Sequence, residues 1–401
     1  MKERDKFFYG LSLAGGLAIL SSTMSKNPVL GLFALSLGTD QAMLGLIAAA
    51  STIPGILVSL PAGSLSDRFG RRKVMYAAGT VFATAPFLYL IVSTPAELMA
   101  VRFYHGFATA IFGTVANAAI VDTFRDQKAA KVSFFSSVTI VGRGLAPFLG
   151  GAVLLLTNSN YRDVYWIVGI AGVSALLAIA FIYRGGRDGE KRDAVAGTPL
   201  RDQLRSIVRD RLVLVASSVE AMQYLAYGGF EFFIVIYADS VGIDLGWIVL
   251  ITGAQLLTVI FAKPILGRMS DNKGRDRLIS GGCAVGGLAL LVMPLTQDPI
   301  VLIFLSVVFG LGFAAVTSST AALVSDLCTG SGSGSAMGFL STVMDVGQAS
   351  GPIIVGGVAA TALGYLGGFG AMGVGLLSAS AIFALAFMRP GTETRTSSAR
   401  R

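Results

Sequence analysis

The chain has 401 residues, of which 54% are hydrophobic and 13% charged, with a mean hydropathy of +0.72 and a formal net charge of +8. A soluble globule carries about a quarter charged residues, so this composition points instead to lipid-facing surface, where a bilayer core of about 30 Å requires about 20 apolar residues per crossing. The basic residues do not cluster on a water-facing surface interleaved with aromatics, which argues against nucleic acid, and Cys283 and Cys328 offer neither a disulfide framework nor a metal-ligand spacing.

Residues 1–6 are charged and lead into an apolar run near 8–36 that reads as a first span, because eleven further runs follow it. Runs near 41–65, 74–93, 96–122, 133–157 and 163–183 come next. Residues 184–211 are polar and charged, as expected of a cytoplasmic linker. Six more runs lie near 212–238, 245–267, 278–296, 299–325, 335–362 and 367–388. The domain boundaries expected from this pattern are a six-helix bundle over 1–184, a linker over 185–211, a second bundle over 212–388 and a cytoplasmic tail over 389–401.

Positive charge collects in short cytoplasmic loops. With both termini inside, 26 of the 31 lysines and arginines fall in cytoplasmic segments and Arg162 alone in an external loop. The remaining four, Lys26, Arg102, Arg143 and Lys263, lie within spans. The expected fold class is an all-α integral membrane protein with twelve transmembrane helices, crossing the cell's inner (plasma) membrane, as a monomer.

Residues 63–73, GSLSDRFGRRK, are echoed by residues 267–277, GRMSDNKGRDR, which places Asp67 and Asp271 204 positions apart. Asp122 and Asp326, and Gly106 and Gly310, keep the same offset, while Pro147 and Pro352 are 205 apart. Such self-similarity is an internal repeat. Six spans per repeat make the two halves parallel.

Glycines permit a tight turn at residues 63–73, and Asp67 suits the positive end of a helix dipole. Arg71 is placed to pair with Asp122. Together Gly63, Asp67, Arg68, Gly70, Arg71, Arg72, Asp122 and Asp271 are candidates for a conformational latch that holds the two halves together in one state and breaks in the other. The competing reading is that these charges only set topology.

Gly63, Leu65, Asp67, Arg68, Gly70, Arg71 and Arg72 match the pattern G-x-L-x-D-R-x-G-R-R/K. Arg102 and Gly106 match R-x-x-Q-G, with His105 in place of the glutamine. Gly142, Pro147, Gly150 and Gly151 match G-x-x-x-G-P-x-x-G-G, with Ala146 in place of one glycine. By these motifs the whole chain resembles the major facilitator superfamily. The resemblance implies alternating access, a central cavity lined by spans 1, 4, 7 and 10, and, through the third motif, export by exchange with a counter-ion such as a proton. Physically, Pro147 removes a backbone donor while the glycines allow packing and bending; simple helix packing accounts for them equally well.

A charge at a helix centre costs about 2.5 to 3.5 kcal/mol on insertion scales, so embedded charges face a cavity or one another. Span 7 carries Glu220, Gln223, Tyr224, Tyr227 and Glu231. Its two acids, eleven residues apart, are separated by about three helical turns and share a face. Lys26, Arg102, Asn117, Arg143, Glu220, Gln223, Tyr227, Glu231 and Asp345 are the candidate substrate and proton cavity, structural ion pairing being the alternative for each charge. Lys263 is expected to snorkel to the interface, and His105 to pack as a satisfied core residue. The favoured function is proton-coupled efflux of a small organic molecule; the alternative is uptake or exchange of an organic anion, with Lys26, Arg102 or Arg143 as its clamp. No phosphate loop, nucleophile–base pair or metal cluster stands out, so no enzyme activity, cofactor or metal is expected. The expected partners are the substrate, protons and the lipid bilayer.

Overall fold

The computed structural model describes residues 3–124, 127–183, 210–327 and 333–387; within these, the side chains of Glu3, residues 59–65, Asp67, Lys128, Ala129 and residues 333–335 lie outside the description. The expected tail and nearly all of the expected linker fall outside it too. In the first half, span 1 is Glu3–Met24 continued by Val29–Ser36, and span 2 is Gln41–Ala50 continued by Ile53–Phe69. Span 3 is Arg71–Leu88, span 4 Pro95–Thr123, span 5 Lys128–Leu156 and span 6 Tyr161–Ile182. Spans 7 to 12 are Arg211–Ser240, Leu245–Lys273, Arg275–Val292, Pro299–Leu327, Ser333–Ala359 and Gly364–Phe387. The described residues contain no strand. Helices are what a bilayer permits, because every backbone polar group must be satisfied within its own segment.

Among the described residues, ten helices are long and apolar enough to cross a membrane. The two remaining long helices, spans 7 and 11, carry Glu220, Glu231 and Asp345. The twelve-helix, two-repeat architecture read from the sequence is therefore the one observed.

Local chemistry sets the helix ends. Thr94 Oγ1 accepts from Glu97 N at 3.3 Å while Glu97 Oε2 accepts from Thr94 N at 3.2 Å, a reciprocal cap at the start of span 4. Asp210 Oδ1 caps span 7 by accepting from Leu212 N at 2.9 Å. Caps of this kind contribute about 1 kcal/mol each. Span 2 breaks at Ser51 and Thr52 because Pro54, two residues into its second piece, gives Ala50 O no amide donor and crowds that carbonyl. Span 8 has Thr258 at the equivalent position and runs unbroken. The turns between spans 2 and 3 and between spans 8 and 9 each pivot on one glycine, Gly70 at φ +91° and Gly274 at φ +100°. Only glycine adopts such angles without strain.

The chain forms two compact units, one built from spans 1 to 6 with residues 244–249, the other from the rest. Within the first, span 1 packs on spans 5 and 6, and span 3 on spans 4 and 6; within the second, span 7 packs on spans 11 and 12, and span 9 on spans 10 and 12. The repeat extends to individual backbone contacts. A Cβ at Gly106 would collide with Ser51 O, and one at Gly310 would approach Gln255 O to 3.0 Å. Likewise Gly142 lies against Gly16 O and Gly347 against Ala221 O.

Overpacking a crossing of this sort costs about 1–3 kcal/mol. Gly106→Ala is expected to lose that much in a thermal melt of the purified protein. Gly113→Ala, in the same helix with nothing within 4 Å of its added methyl, is expected to gain up to about 1 kcal/mol.

Candidate functional site

Both repeats place an arginine at the start of their third helix, one residue after the turn glycine. Arg71 Nη2 lies 2.9 Å from Asp122 Oδ2, its Nε donates to the same oxygen at 3.0 Å, and its Nη1 donates to Ser66 Oγ. Arg275 Nη1 lies 2.9 Å from Asp326 Oδ2, with a longer contact of 3.4 Å to Asp271 Oδ1. Each pair joins the third helix of a repeat to the end of its fourth. Arg71 and Asp122 belong to one unit, so the pair braces that unit internally. The Asp67 side chain and the Gly63 surroundings lie outside the described residues. Arg68 and Arg72 lie over the rings of Phe69 and Tyr76, at 5.5 and 5.7 Å.

At the opposite end of the first unit, span 4 carries Arg102 and His105, 3% and 2% exposed. Arg102 Nη2 donates to Ser51 Oγ, in the opened turn of span 2, and the Tyr89 hydroxyl lies beside the guanidinium. Tyr89 OH and His105 Nδ1 are 3.4 Å apart. Tyr89 and Tyr165 stack at 4.3 Å with an interplanar angle of 6°, and Tyr165 OH donates to Ser25 O at 3.4 Å. Among the described residues no carboxylate pairs with Arg102, and its Nε and His105 Nε2 have no hydrogen-bond partner. An ion buried in this way carries a penalty of about several kcal/mol unless something compensates it.

The second unit builds its polar cluster elsewhere. Glu220 is 1% exposed, and its carboxyl faces Lys263 of span 8 and Thr320 of span 10. Thr320 Oγ1 donates to Val316 O at 2.9 Å, and Glu220 Oε2 has no partner. One turn on, Gln223 is fully buried with its Oε1 4.0 Å from Cys283 Sγ of span 9, and its Nε2 is likewise without a partner. Further along, Tyr227 OH donates to Glu231 Oε1 at 3.2 Å, and the Tyr227 ring lies 4.5 Å from that of Phe313.

The residues expected to share one cavity therefore divide. Arg102, Glu220 and Gln223 are enclosed; Lys26, Glu231 and Asp345 are half-buried; Asn117 and Arg143 are exposed. Gln223 is directed at Cys283 of span 9, whereas an open cavity-lining stripe was expected. Lys263, expected to snorkel, acts on the Glu220 carboxyl. His105, expected to be satisfied, keeps one ring nitrogen unpaired. Ser51, Tyr89, Tyr165 and Thr320 were missed, since no charge marks them; their equivalence to Gln255, Met293, Phe369 and Ala116 across the repeat would have found them. Of the span 5 motif, Gly142 alone meets the backbone of span 1 closely, and Gly150 has ordinary contact with Asn27 O at 3.4 Å. Pro147 lies inside the helix.

The sequence profile of the Major Facilitator Superfamily matches residues 11–251 and 216–401. The MFS-type transporter YdgK of Bacillus subtilis is 26% identical over 269 residues, 64% of this chain and 66% of YdgK. Quinolone resistance protein NorA of Staphylococcus aureus is 22% identical over 82% of the chain and 84% of NorA. Multidrug resistance protein MdtL of Escherichia coli is 32% identical, over 31% of the chain and 32% of MdtL. Among solved structures, a bacterial homologue of the human lysosomal transporter Spinster, inward-facing and unoccupied, superposes with TM-score 0.77 at 13% identity, covering 100% of this chain and 98% of that one. The nucleoside transporter NupG superposes at TM-score 0.75 and 14% identity, over 96% and 99% of the two chains.

If the Arg71–Asp122 pair braces its own unit, a double-mutant cycle with Arg71→Gln and Asp122→Asn is expected to give a coupling of about 1 kcal/mol in thermal stability, typical of a part-buried pair. Additive losses would show that the two side chains act separately.

Proposed function

The chain belongs to the Major Facilitator Superfamily, and on that premise we propose that it exports a small organic molecule in exchange for protons, by alternating access, in the cell's inner membrane with both termini cytoplasmic. The observation that carries this reading is Glu220, an acid enclosed within span 7 whose Oε2 has no hydrogen-bond partner among the described residues. Ionisable groups at membrane depth are expensive and are retained where they move charge or bind it. A neutral carboxylic acid is far cheaper to keep away from water than a carboxylate. A carboxyl that takes a proton from one side and releases it to the other therefore ties proton movement to the conformational cycle.

Lys263 supplies the second part of the device. When Glu220 is ionised, the two opposite charges attract across spans 7 and 8; when Glu220 is protonated, that attraction is lost and the packing of the two spans loosens. Two charge states thus favour two arrangements, which is what coupling requires. The efflux direction draws support from the glycine–proline motif of span 5 and from the resistance proteins MdtL and NorA among the relatives. The Arg71–Asp122 and Arg275–Asp326 pairs keep each unit rigid, so that the units move as bodies.

The test uses proteoliposomes and a quinolone, the compound class in the name of NorA. Glu220→Gln is expected to reduce transport driven by an imposed pH gradient to background, while exchange of labelled for unlabelled compound without a gradient persists. It is also expected to remove the pH dependence of the remaining exchange. Gradient-driven transport that survives in Glu220→Gln would exclude this residue as the proton carrier.

A further inference from the structure

The two halves are built on one plan, and each serves as a control for the other. At the crossing of spans 2 and 4 the first unit places Ser51, Arg102 and His105; at the equivalent crossing of spans 8 and 10 the second unit has Gln255, Ser306 and Phe309. Tyr89 and Tyr165 correspond to Met293 and Phe369. Phe309, Met293 and Phe369 are fully buried, and the glycine crossing against the span 2 or span 8 backbone is present in both units. The second unit completes this region with apolar side chains, a serine and a glutamine, and among the described residues Ser306 Oγ and Gln255 Nε2 are buried without a hydrogen-bond partner. A cation, an imidazole and two phenols in the first unit are additions that packing does not demand.

The chemistry of these additions is directional. A guanidinium has only donors and cannot shed its proton in a protein. When the Tyr89 hydroxyl donates to His105 Nδ1, the imidazole carries its hydrogen on Nε2, which makes that nitrogen a second donor. Arg102 Nε and His105 Nε2 are then two buried donors without acceptors on one face of span 4, three residues apart. Ser51, which accepts from Arg102, is half-buried in the turn that Pro54 opens in span 2 and is the more accessible member of the cluster. Two donors beside a fixed positive charge suit an anion with two oxygens, and arginine holds a carboxylate through paired hydrogen bonds.

We propose that Arg102, His105 and Ser51 form a carboxylate subsite in the first unit, so that the transported molecule carries a carboxylate group. The proposal rests on the reading of the chain as a transporter of small organic molecules and adds the chemical class of the substrate. A hydrogen bond donated by the stacked Tyr89 to His105 Nδ1 would leave Nε2 as the donor, and the cluster selects for negative charge on the solute. Proton binding at Glu220 lies on other helices and is a separate event.

The experiment measures equilibrium binding to the full-length purified protein in nanodiscs, by calorimetry and thermal shift, with benzoate, benzyl alcohol, benzylammonium and chloride as probes. Benzoate is expected to bind at least about tenfold more tightly than benzyl alcohol, the difference that one charge-assisted hydrogen bond supports. Benzylammonium is expected not to compete. Equal protection by chloride would mean an inorganic anion site and would overturn the assignment to substrate, as would tighter binding of benzylammonium than of benzoate. The double variant Arg102→Ser, His105→Phe copies the second unit's own solution at both positions and is expected to fold, eliminating the preference for benzoate over benzyl alcohol. Arg102→Gln, which keeps size and polarity, is expected to do the same; a preference retained in either folded variant overturns the proposal. Loss of gradient-driven transport with intact benzoate binding, or the reverse, separates failure of proton coupling from failure of this subsite.

Discussion

The structure depends on helices approaching until one backbone touches another. Between helices in lipid there is no hydrophobic driving force, because the acyl chains are as apolar as leucine, so association relies on close van der Waals contact. Gly106 against Ser51 O, Gly142 against Gly16 O, Gly310 against Gln255 O and Gly347 against Ala221 O are where that contact is made. A methyl group at any of them would push its helix away and lose dispersion contacts over several neighbouring turns. Because these crossings come in repeat-related pairs, they set the same frame in each half and leave the remaining positions open to diverge.

At the turn end of each unit the frame is closed by charge. Arg71 with Asp122 and Arg275 with Asp326 join the third and fourth helices of their repeats, and Gly70 and Gly274 let the chain reverse immediately before each arginine. Such pairs are partly exposed and individually weak, but they fasten helix ends that packing alone leaves free. A unit tied at its turn end and interlocked at mid-span is suited to move as one body.

The repeat is broken at a few buried positions. The first unit puts a cation and a histidine where the second has serine and phenylalanine, and the second puts Glu220, Gln223 and Cys283 where the first has Gly15, Ala18 and Gly79. Among the described residues Arg102, His105, Glu220 and Gln223 each keep a buried polar atom without a hydrogen-bond partner. Such groups are costly in a low-dielectric interior and serve no packing purpose. On the proposed reading the acid takes a proton and the paired donors an anion.

The number of helices, their approximate limits, the repeat offset and the family were legible in the sequence, because apolar run length and the placement of lysine and arginine answer directly to bilayer thickness and topology. The Arg71–Asp122 pairing was legible too, since its two charges recur at one offset. What the sequence left open was direction: Gln223 and Glu231 occupy one helix at regular spacing, yet Gln223 meets Cys283 and Glu231 takes a hydrogen bond from Tyr227. Which neutral residues gather around Arg102 was decided by tertiary structure alone, because Ser51, Tyr89 and Tyr165 come from three other spans and carry no charge to announce them. Sequence periodicity places a side chain on a helix face; only packing decides what that face meets.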